Sequence, residues 1–136
     1  MENIYITNPA KVKSLIYHLY IYTVAKLSDP VLTNIFTLQR QIIECINTTT
    51  AMHFKILEQE GETDETLSEL EELQSIRERL LSPYSRLHTL VLKAAESQPL
   101  APNDVLNLLD NSIASTEAAL DASIASLQEI QRNWSY

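Results

Sequence analysis

The stretch PVLTNIFTLQRQIIECINTTTAMHFKILEQ, residues 30–59, carries the clearest repeat in the chain. Apolar or small side chains recur there at alternating steps of four and three residues: Val31, Ile35, Leu38, Ile42, Cys45, Thr49, Met52 and Ile56. A heptad pattern sustained over about seven turns predicts one long helix with a buried seam. A second apolar row, formed by Leu32, Phe36, Ile43, Ile46 and Leu57, predicts that this helix packs against at least two neighbours.

Prolines and the single glycine mark the predicted helix ends. Asn8-Pro9, Asp29-Pro30 and Ser82-Pro83 each place a good N-cap residue before a proline. Gly61 ends the long helix, because glycine readily adopts the positive φ of a helix C-terminus. We therefore predict an all-α fold of four to five helices, arranged as an antiparallel helical bundle or as extended coiled-coil hairpins. The predicted helices cover about residues 9–28, 30–59, 64–81, 83–97 and 103–134.

Pro83 leaves two possibilities for the third segment. The apolar spacing keeps its phase from Leu80 to Leu87, which suits one kinked helix as well as two helices. We expect a break or a sharp kink, with Ser82 as a cap, because an interior proline removes a backbone hydrogen bond and clashes with the preceding turn.

The last segment repeats the heptad pattern. Its seam residues are Leu106, Leu109, Ile113, Thr116, Leu120, Ser123, Leu127, Ile130 and Trp134. Alanine and serine are frequent beside this seam, so another helix could approach closely.

Composition bounds the class of protein. With 136 residues, 45% of them apolar and 21% charged, the chain is predicted to form a single helical domain, residues 1–136. A single glycine argues against most β folds and nucleotide-binding folds, whose turns and phosphate loops need positive φ. The net charge of −8 and an acidic, solvent-exposed connection at residues 58–72 make nucleic acid a poor direct partner.

The stretch KVKSLIYHLYIYTVAKL, residues 11–27, is the most apolar part of the chain. Only 12 residues separate Lys13 from Lys26, whereas a membrane-spanning helix needs about 20 apolar residues. We therefore predict that residues 1–28 contain an apolar helix that must be covered on several sides, either by other helices of the chain or by a partner on which it docks.

Residues that could carry catalysis are sparse. His18, His53 and His88 lie in separate segments, and Cys45 belongs to the predicted seam. No spacing that builds a metal site or pairs a nucleophile with a base is present. We expect no enzyme activity, no cofactor and no metal.

These features favour a non-catalytic structural subunit of a eukaryotic multi-protein complex of the transcription-coactivator or kinetochore type. Such a subunit would be intracellular, nuclear rather than cytoplasmic, and would form a hetero-oligomer with other helical subunits by helix–helix packing. The alternatives are an autonomous four-helix-bundle adaptor that binds an amphipathic peptide, and a protein whose first helix lies in a membrane interface. The predicted partner-binding residues are Tyr17, Tyr20, Ile21, Leu32, Ile43, Ile46, Leu57 and Trp134.

Overall fold

The computed structural model describes residues 9–23 and 27–134, with only the backbone described for residues 17–23. Over this part of the chain it contains four helices and no strand, which confirms the predicted all-α bundle. The helices are α1 (Pro9–Thr23), α2 (Asp29–Gln59), α3 (Leu67–Glu96) and α4 (Asn103–Trp134).

Helix α2 begins one residue earlier than its proline suggests. Ser28 is the N-cap, and its hydroxyl oxygen accepts a hydrogen bond from the backbone N–H of Val31 at 3.4 Å. Asp29, expected to be the cap, instead lies in the first turn, where its negative charge faces the positive end of the helix dipole. Pro30 is tolerated there because N–H groups of the first turn have no partner inside the helix.

The heptad seam of α2 forms one side of the core. Ile35, Leu38, Ile42, Cys45, Thr49, Met52 and Ile56 are all buried, and Val31 is half-buried against the same cluster. They pack against buried leucines and isoleucines of α3 and α4. Three long helices of about 30 residues, each roughly 45 Å in length, thus share one hydrophobic core.

Helix α3 continues through Pro83, so the expected break into helices 64–81 and 83–97 is wrong. Ser82 lies in the helix interior and caps nothing. Leu80 and Leu87, on either side of the proline, are both fully buried in the same core. Packing of this kind on both sides outweighs the hydrogen bond that Pro83 cannot donate to the carbonyl of Arg79.

A short connection joins α2 to α3. Gly61 has a φ of +72°, as expected of a residue that terminates a helix, and α2 ends just before it. Thr66 is buried, and its hydroxyl donates to the Gly61 carbonyl at 2.7 Å while accepting from the Thr63 N–H at 2.9 Å. The acidic run 58–72 therefore covers the end of α2, this connection and the first turns of α3, where Leu70 is buried.

Helix α4 matches its predicted bounds, 103–134, but contributes small polar residues to the core. Its buried residues include Ser112, Thr116 and Ser123, whereas Leu106, Ile113 and Trp134 of the predicted seam are half-buried. The hydroxyls of Thr116 and Ser123 donate to backbone carbonyls one turn earlier, at 2.6 and 2.7 Å. Because these hydroxyls have acceptors, burying them leaves no unpaired donor.

The three long helices alternate in direction. Residues 68–72 at the start of α3 line a cavity with residues 126–133 at the end of α4, whereas Arg86 and Leu90 lie beside residues 108–115. Helix α3 is therefore antiparallel to α4, and the short connection at Gly61 makes it antiparallel to α2. Contacts between helices, over the described ranges, join α2, α3 and α4 to one another and do not involve α1.

A comparison of two residues on α2 tests the core. Ile56 is 0% exposed and Phe54 is 66% exposed. We expect Ile56→Ala to lower the free energy of unfolding by about 2–5 kcal/mol through the cavity it leaves, and Phe54→Ala to change it by less than about 0.5 kcal/mol. Urea unfolding followed by circular dichroism measures both. Equal losses would contradict the assignment of the core.

Substitutions at Pro83 and Ser82 test the continuity of α3. In an unbroken helix, Pro83→Ala restores a hydrogen bond and should raise the free energy of unfolding by about 1–3 kcal/mol. Ser82→Ala should be neutral or slightly stabilising in a helix interior. Were Ser82 an N-cap, the same substitution would cost about 1 kcal/mol, so a loss of that size would contradict a continuous α3.

Candidate partner-binding groove

Most of the second apolar row of α2 lies outside the core. Phe36, Ile43 and Leu57 are exposed, whereas Leu32 is half-buried and Ile46 is half-buried against the core. Phe54, which the row did not include, is exposed on the same side of α2. These residues occupy a stripe beside the buried seam, on the side of α2 that is next to α3.

A cavity between α2 and α3 shows which side of α3 faces this stripe. It has a volume of about 180 Å³ and is lined by Thr49, Thr50 and His53 of α2 and by Leu73, Gln74 and Arg77 of α3. Thr50 and Gln74 therefore lie on facing edges of the two helices. Helical spacing identifies the other residues on the same edge of α2 as Thr50 and on the same edge of α3 as Gln74.

Exposed or half-buried apolar residues recur on both edges at matching distances from this cavity. Eighteen residues span five helical turns. Leu32 lies 18 residues before Thr50 on α2, and Leu92 lies 18 residues after Gln74 on α3. Because the two helices are antiparallel, both steps lead in the same direction along the bundle. Seven residues span about two turns. That spacing leads to Ile43 and Leu81 on one side of the cavity and to Leu57 and Leu67 on the other.

These two edges form the walls of a groove that we call the α2–α3 groove. Its near half, next to the start of α2, has Leu32, Phe36 and Ile43 on one wall and Leu81 and Leu92 on the other. Its far half, beyond the cavity, has Phe54, Leu57 and Leu67. Half-buried side chains that pack against the core lie between the walls of the near half: Ile46, Tyr84 and Val91.

The groove brings together four of the predicted partner-binding residues. Leu32, Ile43 and Leu57 lie on its α2 wall, and Ile46 lies at its base. Tyr17, Tyr20 and Ile21 belong to α1, but their side chains lie outside the described residues.

Trp134 is placed elsewhere, at the end of α4. It is half-buried against the chain's own core, and its indole Nε1 is buried without a hydrogen-bond acceptor among the described residues. The buried Oε2 of Glu69, near the start of α3, likewise has no donor there. Trp134 therefore has a packing role at this end of the bundle.

The predicted partner-binding residues did not include several groove residues: Phe36, although it belongs to the second apolar row, and Phe54, Leu67, Leu81 and Leu92. An eleven-residue spacing, which is three helical turns, would have found most of them. Leu32, Ile43 and Phe54 follow one another at that interval on α2, as do Leu81 and Leu92 on α3. The spacing was hidden because polar residues occupy the turns between them.

The titratable residues near the groove do not form a reactive cluster. His53 lines the central cavity and His88 is exposed on α3. No group of three or more metal-ligating side chains occurs within residues 9–16 and 27–134. Cys45 is buried in the seam, and desolvation raises the pKa of its thiol, opposed by a hydrogen bond involving Thr49.

None of the four helices, in the portion of the chain that is described, has the length and apolar character that a membrane crossing needs.

Comparisons with protein-family models, with curated proteins and with solved structures find no match to this chain.

Cys45 offers a test of the core beneath the groove. Because the thiolate is the reactive form and burial raises the thiol pKa, the folded chain should react slowly with an aromatic disulfide reagent at pH 8. We expect labelling at least about 100-fold slower than in urea-unfolded chain, a ratio that an unfolding free energy of several kcal/mol allows. Equal rates in the two states would place Cys45 outside the core.

Proposed function

We propose that this protein is a non-catalytic subunit that joins a multi-protein complex by accepting a helix of another subunit in the α2–α3 groove. The observation that carries the proposal is the pair of exposed apolar rows, facing one another across antiparallel helices that already share a complete core. Apolar residues at helical spacing on two adjacent helices suit an apolar helix face better than an extended peptide.

The energetics support a binding role. Fully burying a Leu, Ile or Phe side chain contributes about 1.5–3 kcal/mol. Phe54, which is 66% exposed, leaves most of that contribution unused in the isolated chain, and Leu57 and Leu67, at 38% and 40%, leave a smaller part. Exposed apolar residues scattered singly are common in proteins, whereas a patch of neighbouring apolar residues, such as Phe54, Leu57 and Leu67 form in the far half, is typical of an interaction surface. The strong negative charge of the chain favours a partner that carries basic residues beside its apolar face.

By analogy of size, charge and helical content, we propose a transcription-coactivator or kinetochore type of assembly in the nucleus of a eukaryotic cell. Fold-level analogy of this kind names a class of complex and no particular member.

An autonomous adaptor that binds amphipathic peptides is the second candidate. It is favoured by the three-helix core, which buries Ile35, Leu73 and Leu109 almost completely without any other chain. The two candidates differ in lifetime, because a subunit remains in a stoichiometric complex whereas an adaptor exchanges its ligand.

The test uses two glutamate substitutions on α2 that differ in position only. Phe54→Glu places a charge in the far half of the groove, and Ala51→Glu places the same charge on the exposed side of α2 away from it. Tagged chains are purified from the organism that encodes the protein and analysed by size-exclusion chromatography and mass spectrometry.

We expect the wild type and Ala51→Glu to elute in one stoichiometric complex. Phe54→Glu should weaken it at least about tenfold, since burying an unpaired charge costs several kcal/mol. Thermal melts of both purified variants check that the bundle is intact. Retention of the same partners by folded Phe54→Glu would overturn the proposal, and loss of ligands from all chains during chromatography would favour the adaptor.

A further inference from the structure

Helix α1 has an uncovered apolar surface of its own. Leu15 and Ile16 are each 59% exposed, although they belong to the most apolar stretch of the sequence. Within the described residues, contacts between helices do not include α1. A helix with apolar residues around most of its circumference is stable in water only when other elements cover it.

The short distance along the chain between α1 and α2 limits how far α1 can lie from the near end of the groove. Five residues, 24–28, separate the two helices, and connections of that length normally join antiparallel neighbours. Leu27 is half-buried against the core, which fixes the end of the connection to the bundle beside the start of α2. The near half of the groove begins there, at Leu32.

The length of α1 matches the near half. Its 15 residues span about 22 Å, and the distance from Leu32 to Ile43 along α2 is about 16 Å. An antiparallel α1 that places Ile16 beside Phe36 would place Pro9, two turns earlier on the same face, beside Ile43. It would end before Phe54, which lies a further 16 Å or so along α2.

We propose that α1 folds back onto its own chain as a fourth antiparallel helix in the near half of the α2–α3 groove, and leaves the far half for the partner. The position of α1 is argued independently, whereas the assignment of the far half rests on the proposed function. Closure of this kind buries Leu32, Phe36 and Ile43 under α1. It gives the groove two halves with different occupants.

Disulfide trapping tests the position of α1. In full-length chain carrying Cys45→Ala, the pair Ile16→Cys and Phe36→Cys is compared with the control pair Ile16→Cys and Thr37→Cys. Thr37 is the adjacent exposed residue and points to a different side of α2. Non-reducing gels and mass spectrometry follow the disulfide under mild oxidation.

We expect an intramolecular disulfide at Phe36→Cys to form at least about tenfold faster than at Thr37→Cys, because Cα atoms more than about 7 Å apart cannot be bridged without movement. Equal rates would overturn the proposal, and a disulfide-linked dimer would assign the groove to a second copy instead. A second pair from the same register, Pro9→Cys with Ile43→Cys, compared with Pro9→Cys and Glu44→Cys, must give the same order.

The two proposals fail separately. If Phe54→Glu loses the partner while no disulfide forms at Phe36→Cys, α1 does not occupy the near half and the proposed function stands. If the intramolecular disulfide forms while Phe54→Glu keeps its partner, the proposed function fails and the position of α1 stands.

Discussion

Packing of the α2 seam against α3 and α4 is the constraint on which the rest of the structure depends. Three helices that meet along one line can each bury one stripe of side chains, and on α2 that stripe is the row that includes Ile35, Ile42 and Ile56. A second apolar row on the same helix cannot reach this line. Apart from Ile46, which is half-buried against the core, the row remains outside for geometric reasons and is then available for binding.

The connection at Gly61 places α3 beside this row, so that the row becomes one wall of a groove. Hydrogen bonds from Thr66 to Gly61 and from Thr63 to Thr66 fix the turn that sets α3 against α2. The resulting register brings Leu81 opposite Ile43 and Leu67 opposite Leu57. A different turn length would shift α3 along α2 and separate the two apolar walls, so a feature far from the near half determines its shape.

Where one local pattern decided the structure, the sequence was sufficient to predict it. The heptad steps of α2 identified its buried seam, the lone glycine identified the end of α2, and Asn103 to Trp134 was predicted with its observed bounds. Where two effects compete, it was not sufficient. Pro83 weakens α3 locally, yet buried Leu80 and Leu87 on both sides keep the helix intact, and that balance depends on tertiary packing.

The groove itself could be predicted only in part. Leu32, Ile43, Ile46 and Leu57 stood out because they lie beside a strong seam on one helix. Leu81 and Leu92 did not, since α3 shows no second row dense enough to notice. They become one surface with α2 only when the antiparallel register is known, and a single sequence does not contain that register explicitly.

We infer that the exposed apolar residues of α2 beside the seam, including Phe54, serve binding, whereas the seam serves folding. Site-specific photo-crosslinking tests it directly, with benzoylphenylalanine in place of Phe54 or, as the control, Ala51, in cells that make the protein. We expect a crosslink from position 54 to one recurring polypeptide and none from position 51. Crosslinks from both positions to the same polypeptide, or from position 51 alone, would contradict it.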